Sequence, residues 1–164
     1  MLVNSRPALF YTVVTLTIIL AYFGSIYPIA TEYQILRPEL VCLLVIYWVM
    51  SVPLHLGVSF AFFVGLFQDL IEQSVWGAHA LALTFVAYFC ARSYKRIKGL
   101  AVWQQSVWVF VLVGMHQVLV NIVLGFAGYN TAPRDLLISV VVTSLTWPVL
   151  MLVILRVRLA YRMV

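Results

Sequence analysis

Long stretches without a charged residue dominate this chain. Charged side chains divide the 164 residues into uncharged runs at 7–31, 40–68, 73–91, 99–133 and 136–155. A helix needs roughly 20 apolar residues to cross the hydrocarbon layer of a bilayer, so each run can cross at least once. Apolar and aromatic types make up 65% of the chain and charged types 9%, which excludes a soluble globular enzyme and intrinsic disorder. We therefore expect an all-α integral membrane protein.

The run 40–68 is too long for one spanning helix. As a single helix it would extend about 43 Å, well beyond a hydrocarbon layer of about 30 Å. Pro53 disfavours a helical Val52, and Gly57 is a suitable place for a new helix to begin. Splitting this run predicts six transmembrane helices in a single domain over 1–164. The predicted helices are about 8–29, 37–52, 57–72, 76–91, 101–126 and 135–155.

Lysine and arginine predict the orientation. The loop 92–98 carries four positive charges and the tail 156–162 carries three, and two spans separate them. The positive-inside rule places both in the cytoplasm, and six spans then place both termini there, leaving all five acidic residues outside. The predicted cytoplasmic basic patch consists of Arg92, Lys95, Arg96, Lys98, Arg156, Arg158 and Arg162. Anionic membrane lipids are its expected partner, an acidic cytoplasmic protein is the alternative, and nucleic acid is not expected.

Two carboxylates share one face of the third predicted helix. Asp69 and Glu72 are spaced i, i+3, but only Asp69 lies deep enough for burial of its charge to be costly. We expect Asp69 to pair with Arg37 or with a polar group of the fifth helix, or else to contact a partner or ligand. Arg37 and Pro38 are typical of the outer start of the second helix, and a docking role for Arg37 is the alternative.

The three histidines are predicted to lie at three different depths. His55 falls in the inner turn, His79 near the outer face and His116 near the centre of the fifth helix, so a shared haem or metal site is not expected. His116, Gln117 and Asn121 are predicted to form hydrogen bonds between helices. A proton or substrate contact is the functional alternative.

The chain offers little for catalysis or redox chemistry. Cys42 and Cys90 are predicted near opposite faces of the membrane, so they should not form a disulfide. The sequence contains no Walker-type loop, no G-x-S-x-G and no H-E-x-x-H. We assign no catalytic residue, no metal and no cofactor, and the expected protein is not an enzyme.

Several stretches over about 37–158 resemble the rod shape-determining protein MreD family of bacteria. The resemblance lies in the order of these stretches and in the spacing between them. These stretches are Arg37-Pro38 with Tyr47-Trp48, the series Pro53, Gly65 and Asp69, the segment Leu100-Ala101-Val102-Trp103-Gln104-Gln105, and Trp147-Pro148. The six-span topology and the basic tail agree with the same family. The candidate partner-binding or bundle-stabilising residues are Arg37, Pro38, Trp48, Asp69, Glu72, His116 and Asn121.

The resemblance implies a non-enzymatic component of the cell-wall elongation complex, the elongasome, in the bacterial inner membrane. Members of the family bind MreC directly and MreB through it, and RodA and its penicillin-binding transpeptidase partner act in the same assembly. Such a protein helps to maintain rod shape and lateral peptidoglycan synthesis. The family bundle resembles the substrate-binding component of energy-coupling-factor (ECF) transporters, which is an analogy of fold alone. A small-molecule binding or uptake subunit and a membrane enzyme are the alternative hypotheses.

Overall fold

The computed structural model describes residues 7–26, 36–53, 56–129 and 132–160, and these residues form six α-helices. The predicted all-α class and the splitting of the run 40–68 into two helices are both confirmed. The helices are α1 Pro7–Ile26, α2 Leu40–Ser51, α3 Val58–Ile71, α4 Ala78–Lys98, α5 Val102–Phe126 and α6 Pro133–Ala160.

Three helices, α2, α4 and α6, differ clearly from their predicted bounds. α4 continues to Lys98, so the prediction that 92–98 is a loop is wrong, and these residues form its last two turns. Basic side chains in the last turn of α4 favour this continuation, because they face the negative end of the helix dipole. α6 is also longer than predicted and contains Pro148 in its interior. α2 begins only at Leu40, two residues after Pro38.

α2 forms the centre of the bundle. All its residues from Val41 to Met50 are buried, and it contacts α1, α4, α5 and α6. A helix that is hydrophobic all round is typical of such a central position. Trp48 joins α2 to α1, since its indole Nε1 donates to Thr17 Oγ1 at 3.1 Å and its ring meets Phe10 edge-on at 5.6 Å between centroids.

α3 and α4 approach each other closely at Gly65. A Cβ atom added to Gly65 would stand 2.3 Å from the Cα of Ala80, so only glycine fits there. Ala61 lies one turn before Gly65 and is fully buried. Small residues spaced by four allow helix backbones to approach closely, as in many membrane bundles.

The outer surface of the bundle is rich in large apolar side chains. Phe23, Phe63 and Leu145 are each at least 60% exposed. Within the described residues, Ala8–Ile26, Val102–Phe126 and Pro133–Arg158 are long and apolar enough to cross a membrane by length and composition. α2 and α3 are shorter, at 12 and 14 residues. An apolar exterior of this kind fits the predicted class of membrane protein.

The two ends of the bundle differ in charge. At one end, which we call the basic end, the C-terminal parts of α2, α4 and α6 surround a single cavity that Lys98 and Arg158 line. At the other, which we call the acidic end, Glu39 precedes α2 while Asp69 and Glu72 lie in or after the last turn of α3. Glu39 and Glu72 are close enough there for their charges to interact.

Candidate functional site

The Asp69 carboxylate is the centre of the acidic end. Its side chain is 1% exposed and accepts three backbone hydrogen bonds from the start of α4: from Gly77 at 2.9 Å, His79 at 3.0 Å and Ala80 at 3.3 Å. The first amide groups of a helix have no partner within that helix, and a negative charge is favoured at this end. Asp69 of α3 therefore caps α4.

Two side chains complete the hydrogen bonds of Asp69. Ser74 Oγ donates to Oδ1 at 2.7 Å, and His79 Nδ1 lies 2.8 Å from the same oxygen. An ionised carboxylate can only accept, so Nδ1 of His79 carries its hydrogen in this contact. The other ring nitrogen of His79 lies 3.5 Å from Glu72 Oε2, and Glu72 Oε1 accepts from Gln68 at 3.0 Å. The imidazole of His79 is thus held between two carboxylates.

The connection between α3 and α4 is a tight turn with a defined backbone. Gln73 has a positive φ of 51°, and the amide of Ser74 donates to the backbone carbonyl of Asp69 at 3.1 Å. This pattern is the Schellman ending of a helix. Gly77 follows with a φ of 92°, a conformation that glycine adopts without steric cost. Asp69 therefore organises the turn through both its backbone and its side chain.

Arg37 is not the partner of Asp69, contrary to our expectation. Within the described residues, every side-chain hydrogen bond of Asp69 goes to residues 74–80. The guanidinium of Arg37 instead donates to the backbone carbonyl of Gly24, in the last turn of α1. A cation is favoured at the C-terminal end of a helix. Arg37 and Pro38 precede α2 rather than forming its first turn, so Arg37 joins that segment to α1.

Glu39 is a site residue that the sequence analysis missed. Its Oε1 accepts from Gln117 Nε2 of α5 at 3.0 Å, and its amide donates to Thr143 Oγ1 of α6 at 3.0 Å. The start of the central helix is thereby tied to two neighbouring helices. The available signal was an acidic residue directly before a strongly apolar helix, because an acid that is partly withdrawn from water needs a partner.

The polar residues of α5 only partly follow the prediction. Gln117 bridges helices, since its Nε2 also lies 3.2 Å from Ser139 Oγ of α6. Asn121 donates to the backbone carbonyl of Gln117 at 3.0 Å, a bond within its own helix. The expected hydrogen bond of Asn121 to another helix is therefore not observed within the described part of the chain.

The prediction that His79 and His116 lie at different depths is wrong. Their ring centroids are 5.8 Å apart. α3 has only 14 residues and extends about 21 Å, so the turn after it and the start of α4 lie beside the middle of the longer α5. His116 is 1% exposed, and neither ring nitrogen has a hydrogen-bond partner among the described residues. His55 lies outside the described residues.

With this geometry established, the comparisons with known proteins identify the family. A family model described as rod shape-determining protein MreD matches residues 5–157. The chain belongs to the MreD family. It is similar to the rod shape-determining protein MreD of Haemophilus influenzae, at 27% identity over 140 residues that cover 85% of this chain and 86% of the relative. No solved structure matches the chain. The resemblance drawn from the ordered motifs is confirmed, and the match extends it through α1.

Several of the residues that carried the resemblance to the MreD family occupy packing positions in the bundle. Gly65 allows the close approach of α3 to α4, and Asp69 caps α4. Trp48 and Trp147 are both buried, the first against α1 and the second 3.4 Å from Gln105 Oε1 of α5 through its indole nitrogen. These four residues, which belong to the stretches that carried the resemblance, therefore hold helices together.

The site has the chemistry of a structural network. Both oxygens of Asp69 are engaged in hydrogen bonds, which does not suit the free carboxylate that a general base requires. In the described ranges, no group of three or more His, Cys, Asp or Glu residues is arranged to hold a metal ion. The membrane-enzyme hypothesis needed Asp69 and Glu72 to converge on an open polar cavity, whereas among the described residues the Asp69 oxygens bind the turn and the start of α4.

The cysteines and the basic patch are the remaining residues for which the sequence made predictions. Cys42 and Cys90 are free and buried, but Cys90 Sγ lies 3.6 Å from the carbonyl of Ile46 in the middle of α2, so their predicted separation across the membrane is wrong. In the basic patch, Lys98 and Arg158 line the cavity at the basic end. The patch residues that are exposed and do not line it are Arg92, Lys95, Arg96 and Arg156. Arg162 lies outside the described residues.

Proposed function

We propose that this protein is a non-enzymatic inner-membrane component of the elongasome, in which it maintains rod shape during lateral peptidoglycan synthesis. The match of the MreD family model to residues 5–157 is the observation that carries this proposal. The use of the buried carboxylate of Asp69 as a helix cap supports it, because that geometry serves architecture rather than chemistry.

The proposal includes six membrane-spanning helices with both termini in the cytoplasm. The separation of a basic end from an acidic end supports this orientation through the positive-inside rule. α2 and α3 are short for spanning helices, but α2 packs inside the bundle and α3 packs against the longer α4. The likeness to the substrate-binding component of ECF transporters is part of the same proposal and rests on the family.

MreC is the proposed direct partner, and MreB, RodA and its penicillin-binding transpeptidase partner belong to the same proposed assembly. A cavity of about 570 Å³ between α1 and α3 supports recognition through a helix face. Its lining includes Ile18, Phe23, Phe63 and Phe67, an apolar surface against which a transmembrane helix can pack.

Site-specific crosslinking tests the proposed contact with MreC. A photoreactive residue at Phe63 on α3 should crosslink to MreC in cells, whereas one at Leu145 on α6 should not. Both positions are at least 60% exposed, so accessibility does not distinguish them. Equal crosslinking from both positions, or crosslinking from Leu145 alone, would place the contact elsewhere.

Depletion in a rod-shaped host without a second copy tests the proposed function itself. Cells should become round as the protein is diluted by growth, and the wild-type gene supplied in trans should restore rods. Sustained rod growth in the absence of the protein would contradict the proposal.

A small-molecule binding or uptake subunit is the second candidate, and His116 favours it. The two ring nitrogens of His116 are buried without a hydrogen-bond partner in the described ranges, although buried polar groups are normally paired. A small polar ligand beside His79 would satisfy them. Mass spectrometry of the purified protein should then detect a bound compound that a His116→Phe variant loses. Purification of the wild type without any such compound would remove this candidate.

A further inference from the structure

A second site lies at the basic end, away from the Asp69 network. The cavity there measures about 390 Å³, within the range typical of small-molecule and cofactor pockets. Residues of α2, α5 and α6 form its walls, among them Met50, Val102 and Met151, and the last residue of α4, Lys98, reaches it. Four helices therefore contribute to one cavity.

The body of this cavity is apolar. Trp147 is fully buried, and Met50 and Met151 are flexible side chains that adapt to irregular apolar shapes. Leu152 and Leu155 line the cavity as well, yet they are 63% and 50% exposed on the outside of α6. An apolar chain outside the bundle can therefore enter the cavity laterally, past the exposed side of α6.

The polar groups of the cavity favour an anion. Lys98 and Arg158 both line it, and no acidic side chain does so within the described residues. Arg158 Nη1 donates to the hydroxyl of Tyr47 at 3.2 Å, which holds the guanidinium against α2. Arginine and lysine are the usual partners of phosphate groups, and their long stems allow the charge to stay at the polar boundary.

We propose that this cavity binds one anionic phospholipid of the surrounding bilayer. Lys98 and Arg158 hold the phosphate, and the upper part of one acyl chain lies along α6 against Trp147 and Leu152. Of the six basic-patch residues that the structure describes, only Lys98 and Arg158 line the cavity, so this is a defined site and not the general attraction of a basic surface to lipid. The inference rests on the proposed membrane placement, but not on the role in cell shape.

Native mass spectrometry of the full chain in detergent tests the site. The protein should retain phosphatidylglycerol in preference to phosphatidylcholine when both are supplied at the same concentration. The double variant Lys98→Gln, Arg158→Gln should bind phosphatidylglycerol about 30-fold more weakly, as expected for the loss of two cationic contacts. The matched control Lys95→Gln, Arg156→Gln removes the same charge from exposed residues of the same helices and should bind like the wild type.

A second pair of variants tests the apolar part without changing charge. Val102→Trp fills the cavity from an exposed position and should abolish retention of the lipid, whereas Val107→Trp, on the same helix and outside the cavity, should not. If the Lys98→Gln, Arg158→Gln variant and the Lys95→Gln, Arg156→Gln variant lost the same affinity for phosphatidylglycerol, the lipid would bind a diffuse basic surface. That result would overturn the proposal. If the Val102→Trp variant still retained the lipid, the acyl chain would not lie in this cavity. Displacement of the lipid by inorganic phosphate at the same concentration would likewise contradict binding of the acyl chain there. Cell shape is not measured, so failure here leaves the proposed function standing.

Discussion

At the scale of single residues, the Asp69 carboxylate caps a helix to which it does not belong. Helix caps are normally supplied by the residue just before the helix. Here Gly77 occupies that position and has no side chain, so the acceptor comes from the end of α3. The same carboxylate holds His79 and Ser74, which makes one side chain responsible for the turn and the start of α4.

Asp69→Asn should destabilise the protein by about 2–4 kcal/mol, the loss expected when a charged, buried acceptor becomes partly a donor. The side-chain nitrogen that replaces Oδ2 cannot accept from the backbone amides of Gly77 and Ala80. Unfolding of the detergent-purified protein in a denaturant series measures this loss. Glu72→Gln is the matched control and should cost less than about 1 kcal/mol, because Glu72 is part-exposed and accepts one hydrogen bond. Equal losses in the two variants would mean that the cap contributes nothing of its own.

Gly65→Ala should destabilise the bundle by about 1–3 kcal/mol, because the added methyl group meets the backbone of Ala80 and the helices must separate. Gly114→Ala is the control on α5, where the nearest atom to a new Cβ lies 3.9 Å away. That change should be neutral or stabilise by up to about 1 kcal/mol, since alanine favours a helix over glycine. Thermal unfolding of both variants measures these changes in stability. A Gly65→Ala protein as stable as the wild type would contradict the close approach of α3 and α4.

At the scale of helices, α1 depends on a small set of contacts with α2 and α3. Trp48 reaches Thr17 and Phe10, and the hydroxyl of Tyr22 donates to the carbonyl of Val64 at 2.6 Å. α2 itself is held from all sides and needs no single contact of this kind. Loss of Trp48 should therefore loosen α1 before it affects the rest of the bundle.

Trp48→Phe should lower stability by about 1–3 kcal/mol, through the lost hydrogen bond to Thr17 and the smaller ring in a buried position. Hydrogen exchange should rise mainly in α1. Trp103→Phe provides the control, since Trp103 is 69% exposed, and should change stability by less than about 0.5 kcal/mol. A uniform rise in exchange across all helices would mean that α1 has no separate dependence on Trp48.

At the scale of the whole molecule, the charge difference between the two ends predicts the orientation. Reporters fused near Lys98 or at Val164 should report the cytoplasm, and one near Tyr129 should report the outside, because basic residues are retained in the cytoplasm. Paired fusions of a periplasm-active and a cytoplasm-active reporter at each position give the measurement. A reporter at Val164 that is active outside would overturn the six-span arrangement.

Much of the architecture was predictable because it depends on local properties. Lipid provides no hydrogen-bond partners for the backbone, so long uncharged runs must form helices. Pro53 and Gly57 were enough to divide the run 40–68. The end of α4 was not predictable in this way, because the basic residues after Ala91 read as a loop although they favour the end of a helix.

By itself, the sequence determined the helical class, the number of helices and the family, since all three follow from residue order along the chain. Only the tertiary structure decided which polar groups meet. It paired Asp69 with α4 rather than with Arg37, brought His79 beside His116 and placed Glu39 against Gln117. These contacts depend on the depth and rotation of each helix in the bundle. The depth and rotation of α3 and α4 are set by the short length of α3 and by its close packing against α4 through Gly65. The spacing of residues along one helix does not reveal the depth or the rotation.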